Sequence, residues 1–122
     1  MTIQSIDYRK SWDRYANTWR LSSAEEKAQE CEQVLVEGVV YTDPLTQRTG
    51  RGELVAYMLE FHQQIPGGHF KTKEFWAHSG CSVARWDMCA GDGSVVGTGV
   101  SYAHYRADGK LHSVTGFFDV PS

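Results

Sequence analysis

The chain has 122 residues, 41% hydrophobic and 22% charged, a composition that suits one domain around one core and excludes a disordered chain. A net charge of −3, with lysines and arginines scattered, argues against a nucleic-acid partner. No apolar run reaches the roughly 20 residues that span a bilayer, and "MTIQSIDYRK" lacks a signal-peptide core, so a cytoplasmic location with no membrane partner is expected.

Over residues 5–20, Tyr8, Trp12, Tyr15, Ala16 and Trp19 recur at spacings of three and four, which predicts an amphipathic helix with an aromatic face. Ser22 or Ser23, with Glu25 or Glu26 three residues on, supplies a capping box that opens a second helix running to about Cys31. "QVLVEGVVYT" is β-branched and apolar and reads as a strand ending at Pro44. From Gly52 to Ile65, Leu54, Met58, Phe61 and Ile65 share one stripe of a third helix, stopped by Pro66-Gly67-Gly68. Four strand-like runs follow, "HFKTKEFWAHS", "CSVARWDMCA", "SVVGTGVSYAHYR" and "KLHSVTGFFDV", separated by turn signals at Ser79-Gly80, Gly91-Asp92-Gly93 and Ala107-Asp108-Gly109. Helices first and a meander afterwards make an α+β chain in which a bent sheet wraps a helical layer. Gly97, Gly99 and Gly116, inside strand runs, predict bending or close approach there.

The chemistry-bearing residues are few. Cys31, Cys81 and Cys89 are odd in number and lack CxxC spacing, so they read as free thiols. No His or Cys cluster has metal-ligand spacing, no nucleophile–base set can be read off, and no phosphate-cradling loop precedes a helix, so no metal and no cofactor are expected. His62, His78 and His104 have no partner in the sequence. Asp43 is the open question. It lies two residues beyond Tyr41 on one side of an extended chain, before Pro44. It is either a strand-exit turn former or the working group of an aromatic-lined pocket. With no Lys or Arg identified on the same face, the reading expects a desolvated carboxylate offered few donors.

The order of elements, with "YTDP" after the first two helices and "DGKLHSVTGFFD" at the end, resembles the SnoaL-like branch of the nuclear transport factor 2-like superfamily over essentially the whole chain. The resemblance implies a single domain, 1–122, with a cone-shaped, strongly bent, mostly antiparallel sheet closed by three helices. It also implies a homodimer formed through the convex sheet face, where alternation would place Val83, Val96, Val100 and Tyr102. The superfamily includes polyketide cyclases, ketosteroid isomerase and limonene-epoxide hydrolase, so fold alone leaves the function open. Against the isomerase, Asp43-Pro44 matches the general base and Tyr15 the first oxyanion-hole donor, while Ser101 stands where that enzyme has a protonated Asp. Against the epoxide hydrolase, Arg85-x-Asp87 matches part of an Asp-Arg-Asp set whose third member falls at Gly116. Parity allows only one side of that strand to face the cone. The isomerase register puts Trp86 inside, which sends Arg85 and Asp87 outward.

The reading that follows is a protein binding a small apolar or aromatic molecule in a pocket centred on Asp43. Trp19, Tyr41, Met58, Phe61, Trp86, Ser101, Gly116 and Phe118 are expected around the ligand. The alternative is a cofactor-independent isomerase, cyclase or dehydratase on a polyketide- or steroid-like ketone, with Asp43 as general base and Tyr15 beside it.

Overall fold

A computed structural model of the protein describes residues 6–120. The elements run α1 (Tyr8–Thr18), α2 (Ala24–Val34), β1 (Leu35–Asp43), β2 (Thr46–Thr49), α3 (Arg51–Gln64), β3 (His69–His78), β4 (Cys81–Cys89), β5 (Val95–Tyr105) and β6 (Leu111–Phe117). Residue 5, where the periodicity first suggests a helix, lies outside the described residues. Within them α1 starts at Tyr8 because Asp7 caps it, its Oδ1 accepting from Lys10 N at 3.0 Å.

The capping box at the head of α2 is Ser23 with Glu26. The Glu26 N–H donates to Ser23 Oγ at 3.1 Å and the serine hydroxyl returns a bond to Glu26 Oε1 at 3.0 Å. This helix continues past Cys31 to Val34, because Lys27, Cys31 and Val34 form one buried stripe. Gln33 and Val34 therefore belong to the helix, and β1 follows without a loop. β2 is an element that the sequence reading lacks. It is an edge strand of four residues, Thr46 to Thr49, paired antiparallel with β1 from Asp43↔Thr46 to Val40↔Thr49. Its polar composition suits an edge and leaves no apolar alternation to read.

The sheet order is β2-β1-β6-β5-β4-β3. All neighbours are antiparallel except β1 with β6, which are parallel. Register shifts interrupt the ladders between Leu35 and Val40, Thr72 and Glu74, Met88 and Cys89, and His104 and Tyr105, and such bulges bend a sheet. Of Gly97, Gly99 and Gly116, only Gly97 borders one of these shifts, and Gly38 of β1 lies within the shift between Leu35 and Val40. Gly99 serves close approach instead: a methyl there would stand 2.4 Å from Trp86 Cη2 and 2.7 Å from Phe117 O.

The concave face packs on the helices. Leu35, Leu54, Met58 and Leu111 are fully buried there, each stabilising the fold by roughly 1.5–3 kcal/mol. Lys27 is buried too, and its Nζ donates to Thr18 O at 2.9 Å and Trp19 O at 3.1 Å, closing the C-terminal end of α1. Burial lowers its amine to about 8, against a smaller upward pull from Cys31 and Glu26. The second carbonyl it holds belongs to Trp19, so this contact also fixes one wall of the cavity described next. Among the described residues, no helix is long and apolar enough to cross a membrane.

Candidate functional site

A cavity of about 250 Å³ lies between the concave sheet face, α1 and α3. Trp19 is its central ring, with Phe70, Phe61, Tyr41 and Tyr57 at centroid distances of 5.3, 5.5, 5.7 and 5.9 Å. Trp86 extends this wall, 5.0 Å from Phe70 and 6.4 Å from Phe118. These edge-on and tilted contacts are the favoured aromatic geometries.

Asp43, 8% exposed, lines the cavity and also serves as the strand-exit turn former. Its Oδ1 accepts from the N–H groups of Leu45 (2.8 Å) and Thr46 (3.1 Å), the turn-forming role that a strand-exit Asp-Pro favours. Its Oδ2 accepts from the phenols of Tyr41 (2.8 Å) and Tyr57 (2.7 Å). The expectation of few donors is thus corrected: four donors occupy the acceptor positions of an ionised carboxylate. Two of them come from the turn at Pro44, and one reaches across from α3. A basic group is near as well. The Arg48 guanidinium lies 4.8 Å above the Tyr57 ring and pairs with Glu60 at 3.0 Å. It belongs to β2, the strand that the sequence did not reveal. Burial, reinforced by the neighbouring carboxylate, pushes the Tyr41 and Tyr57 phenols well above the usual tyrosine range, so both stay protonated.

Three more hydroxyls face the cavity in a common arrangement. Trp19 Nε1 donates to the Tyr15 hydroxyl at 3.1 Å, Trp86 Nε1 to Ser101 Oγ at 2.9 Å, and Trp12 Nε1 to Thr72 Oγ1 at 2.9 Å. Desolvation also raises the Tyr15 phenol strongly, against a weaker opposing pull from the Trp19 bond.

Of the residues the sequence points to, Tyr15, Trp19, Tyr41, Asp43, Phe61, Trp86, Ser101 and Phe118 line the cavity. Tyr15 bonds to Trp19 and leaves Asp43 to Tyr41 and Tyr57. Met58 does not reach the lumen: it is fully buried in the core cluster with Leu54 and Val55, because the α3 stripe divides and turns Tyr57 and Phe61 inward instead. Gly116 is not among the lining residues, although it lies beside two of them. A methyl there would stand 3.6 Å from Asp43 Cβ and 3.7 Å from Ser101 Oγ. Tyr57 is the main residue missed, although its place three after Leu54 and four before Phe61 carries a helical signal. Ala16, Leu45, Glu60, Gln64 and Ile65 also line the cavity, as do Trp12, Phe70, Thr72 and Met88, which join the site only through strand pairing and helix docking.

The remaining candidates lie elsewhere. Trp86 faces inward, so Arg85 and Asp87 take the other side of β4, and Arg85 pairs with Glu74 at 3.2 Å. His62 Nε2 contacts Trp19 O, His78 is exposed, and His104 packs on Tyr102 and His112 at 4.8 and 5.3 Å. Among the described residues, no group of three His, Cys, Asp or Glu side chains is placed to hold a metal ion.

Residues 12–114 match the family described as the SnoaL-like domain. A candidate isomerase of the SnoaL-like family from Agrobacterium tumefaciens superposes with a TM-score of 0.84 at 24% identity, over 93% of this chain and 97% of that one. A candidate SnoaL-like polyketide cyclase from Jannaschia superposes at 0.76 with 12% identity, over 98% and 91% of the two chains. A de novo designed protein with a curved β-sheet reaches 0.71 at 12% identity, over 92% and 84%. Identities this low carry the fold alone, and a designed chain in the same fold separates shape from activity. No curated protein sequence matches the chain.

Proposed function

The chain belongs to the SnoaL-like domain family, and on that premise we propose that it binds a small, largely apolar molecule in the cavity that Asp43 lines. The observation that carries this reading is the cavity itself, about 250 Å³ walled by Trp19, Phe61, Phe70 and Trp86, with the Asp43–Tyr41–Tyr57 knot and a few further hydroxyls among the rings. Ligand pockets combine this kind of apolar lining with a few placed polar groups that orient the ligand. The test uses N-phenyl-1-naphthylamine, an uncharged probe that fluoresces in apolar surroundings. Saturable one-to-one binding is expected for the native chain, with loss of binding in Gly116→Leu, whose side chain would crowd the lining residues Asp43 and Ser101. Binding that persists in a folded Gly116→Leu protein would place the probe elsewhere and reject the cavity.

A second reading, proton transfer, is favoured by Asp43 standing within hydrogen-bond range of two phenols, both of which donate to the same oxygen. In that reading one phenol turns from Asp43 to donate to a ligand carbonyl. The freed carboxylate oxygen takes the proton from the carbon beside the carbonyl, the C–H electron pair becomes the new C=C bond, and the C=O π pair moves onto the oxygen, which also accepts a hydrogen bond from Tyr15. Exchange of ketone α-hydrogens in heavy water, followed by mass spectrometry, tests it. Deuterium uptake that Asp43→Asn abolishes supports the enzyme, and uptake no faster than in buffer rejects it for the ketones used.

A further inference from the structure

Each pairing of an indole with a hydroxyl in the cavity fixes which partner donates. An indole N–H can only donate, so Tyr15, Ser101 and Thr72 must accept from Trp19, Trp86 and Trp12. A hydroxyl that accepts in this way still carries its own hydrogen. Among the described residues, none of the three passes that hydrogen to a protein acceptor within hydrogen-bond distance. Tyr15 is 3% exposed and Ser101 6%, while Thr72 is half-buried, so the lumen is the main space left to these hydroxyls. A buried hydroxyl hydrogen left without an acceptor is costly, and a ligand oxygen would relieve it. All six residues border the same lumen.

The charges of the lining point the same way. Asp43 and Glu60 are its charged residues, and both are acidic. Arg48, which lies over the Tyr57 ring, is engaged with Glu60 and with Thr46 Oγ1 at 3.0 Å. Asp43 itself has its acceptor positions filled by four protein donors. A carboxylate ligand would meet Asp43 and Glu60 with Arg48 already engaged by Glu60, and a donor-rich ligand would meet hydroxyls that are themselves aimed as donors.

We propose that Trp12, Trp19 and Trp86 act as positioning residues that aim the hydroxyls of Thr72, Tyr15 and Ser101 into the lumen as donors, so that the cavity selects uncharged molecules bearing acceptor oxygens over their carboxylate and oxygen-free analogues. The inference rests on the ligand-binding reading above and specifies its chemistry. It does not depend on turnover.

Three probes of one shape separate the cases at neutral pH: 2-acetylnaphthalene, 2-naphthoate and 2-isopropenylnaphthalene. Affinities are read by quenching of tryptophan fluorescence and by ligand-observed NMR. The ketone is expected to bind about three- to tenfold tighter than the hydrocarbon, the yield of a net hydrogen bond, and the carboxylate to bind weakest. In Ser101→Ala and Tyr15→Phe the ketone should lose that advantage while the hydrocarbon keeps its affinity, a pattern that a merely structural defect would not produce. Trp86→Phe should randomise the Ser101 hydroxyl and give a partial loss. Equal binding of ketone and hydrocarbon, or equal loss of both in the variants, would overturn the donor assignment and leave the apolar pocket standing. Tightest binding of the naphthoate would overturn it as well. Failure of all three probes to bind would overturn the ligand-binding reading along with it.

Discussion

The Tyr57 phenol donates to Asp43 Oδ2 at 2.7 Å, tying α3 to the end of β1. The same oxygen takes the Tyr41 phenol, while Oδ1 holds the Leu45 and Thr46 amides. Replacement by Asn keeps an oxygen for the two amides, and the phenols can rotate to accept from the new NH₂ group. Asp43→Asn should therefore fold, with a loss of about 1–2 kcal/mol, whereas Asp43→Ala strands all four donors and should cost about 3 kcal/mol. Urea unfolding of the two variants checks the order. An Asp43→Ala protein as stable as Asp43→Asn would mean that water replaces the carboxylate freely.

Two glycines of the concave face should respond in opposite ways. Gly99→Ala drives a methyl into the Trp86 ring and the Phe117 carbonyl, which are 2.4 and 2.7 Å from its position. A loss of about 1–3 kcal/mol is expected, along with a displaced Trp86 and a changed tryptophan emission. Gly116→Ala meets Asp43 and Ser101 at ordinary contact distances of 3.6 and 3.7 Å, so its melting temperature should stay close to the parent's while the lumen narrows. Parallel thermal melts decide it, and equal destabilisation of both would contradict the assignment.

Lys27 should make the fold more stable as the pH rises from 8. Its amine titrates near 8 in the folded chain against 10.5 ordinarily. Between those values the unfolded chain binds more protons, and stability then rises with pH. Cys31 acts in the opposite sense. Burial pushes its thiol from 9.0 to about 11, so stability falls above pH 9 as the unfolded thiol ionises first, and Tyr105, pushed from 10.0 up to about 12, adds to the fall above pH 10. The window that reports on Lys27 is therefore pH 8 to 9, with a gain of about 1 kcal/mol by linkage. Guanidinium unfolding should show this rise in the native chain and none in Lys27→Met.

The convex face offers an apolar surface suited to a second copy. Trp76, Val83, Tyr102 and Thr115 form one cross-strand row, and Arg85, Val100 and Phe117 the next. Trp76 is 52% exposed, Phe117 58% and Val96 53%. We expect a two-fold dimer built on these rows. Analytical ultracentrifugation at micromolar concentration should give a dimer for the native chain and a monomer for Trp76→Glu combined with Phe117→Glu. A native monomer under those conditions would contradict the expectation.

Local chemistry makes much of this protein legible from its residues alone. Turn glycines, the Ser23–Glu26 cap and the aromatic spacing of α1 all act over a few residues, so the helices, the later strands and the parity of Tyr41 with Asp43 can be read directly. The parity of Trp86, Arg85 and Asp87 is equally local, but choosing the inward side requires the resemblance to a known fold. β2 escapes because an edge strand buries too little to impose an apolar pattern. Tertiary structure decides the environment of Asp43. Its partner Tyr57 lies on another element, and the Arg48 above that phenol sits on the unread strand. The three indole–hydroxyl pairs divide along the same line. Trp19 and Tyr15 are one helical turn apart and can be paired from spacing. Trp12 with Thr72, and Trp86 with Ser101, lie far apart in the chain and meet only once α1 docks on β3 and β4 pairs with β5.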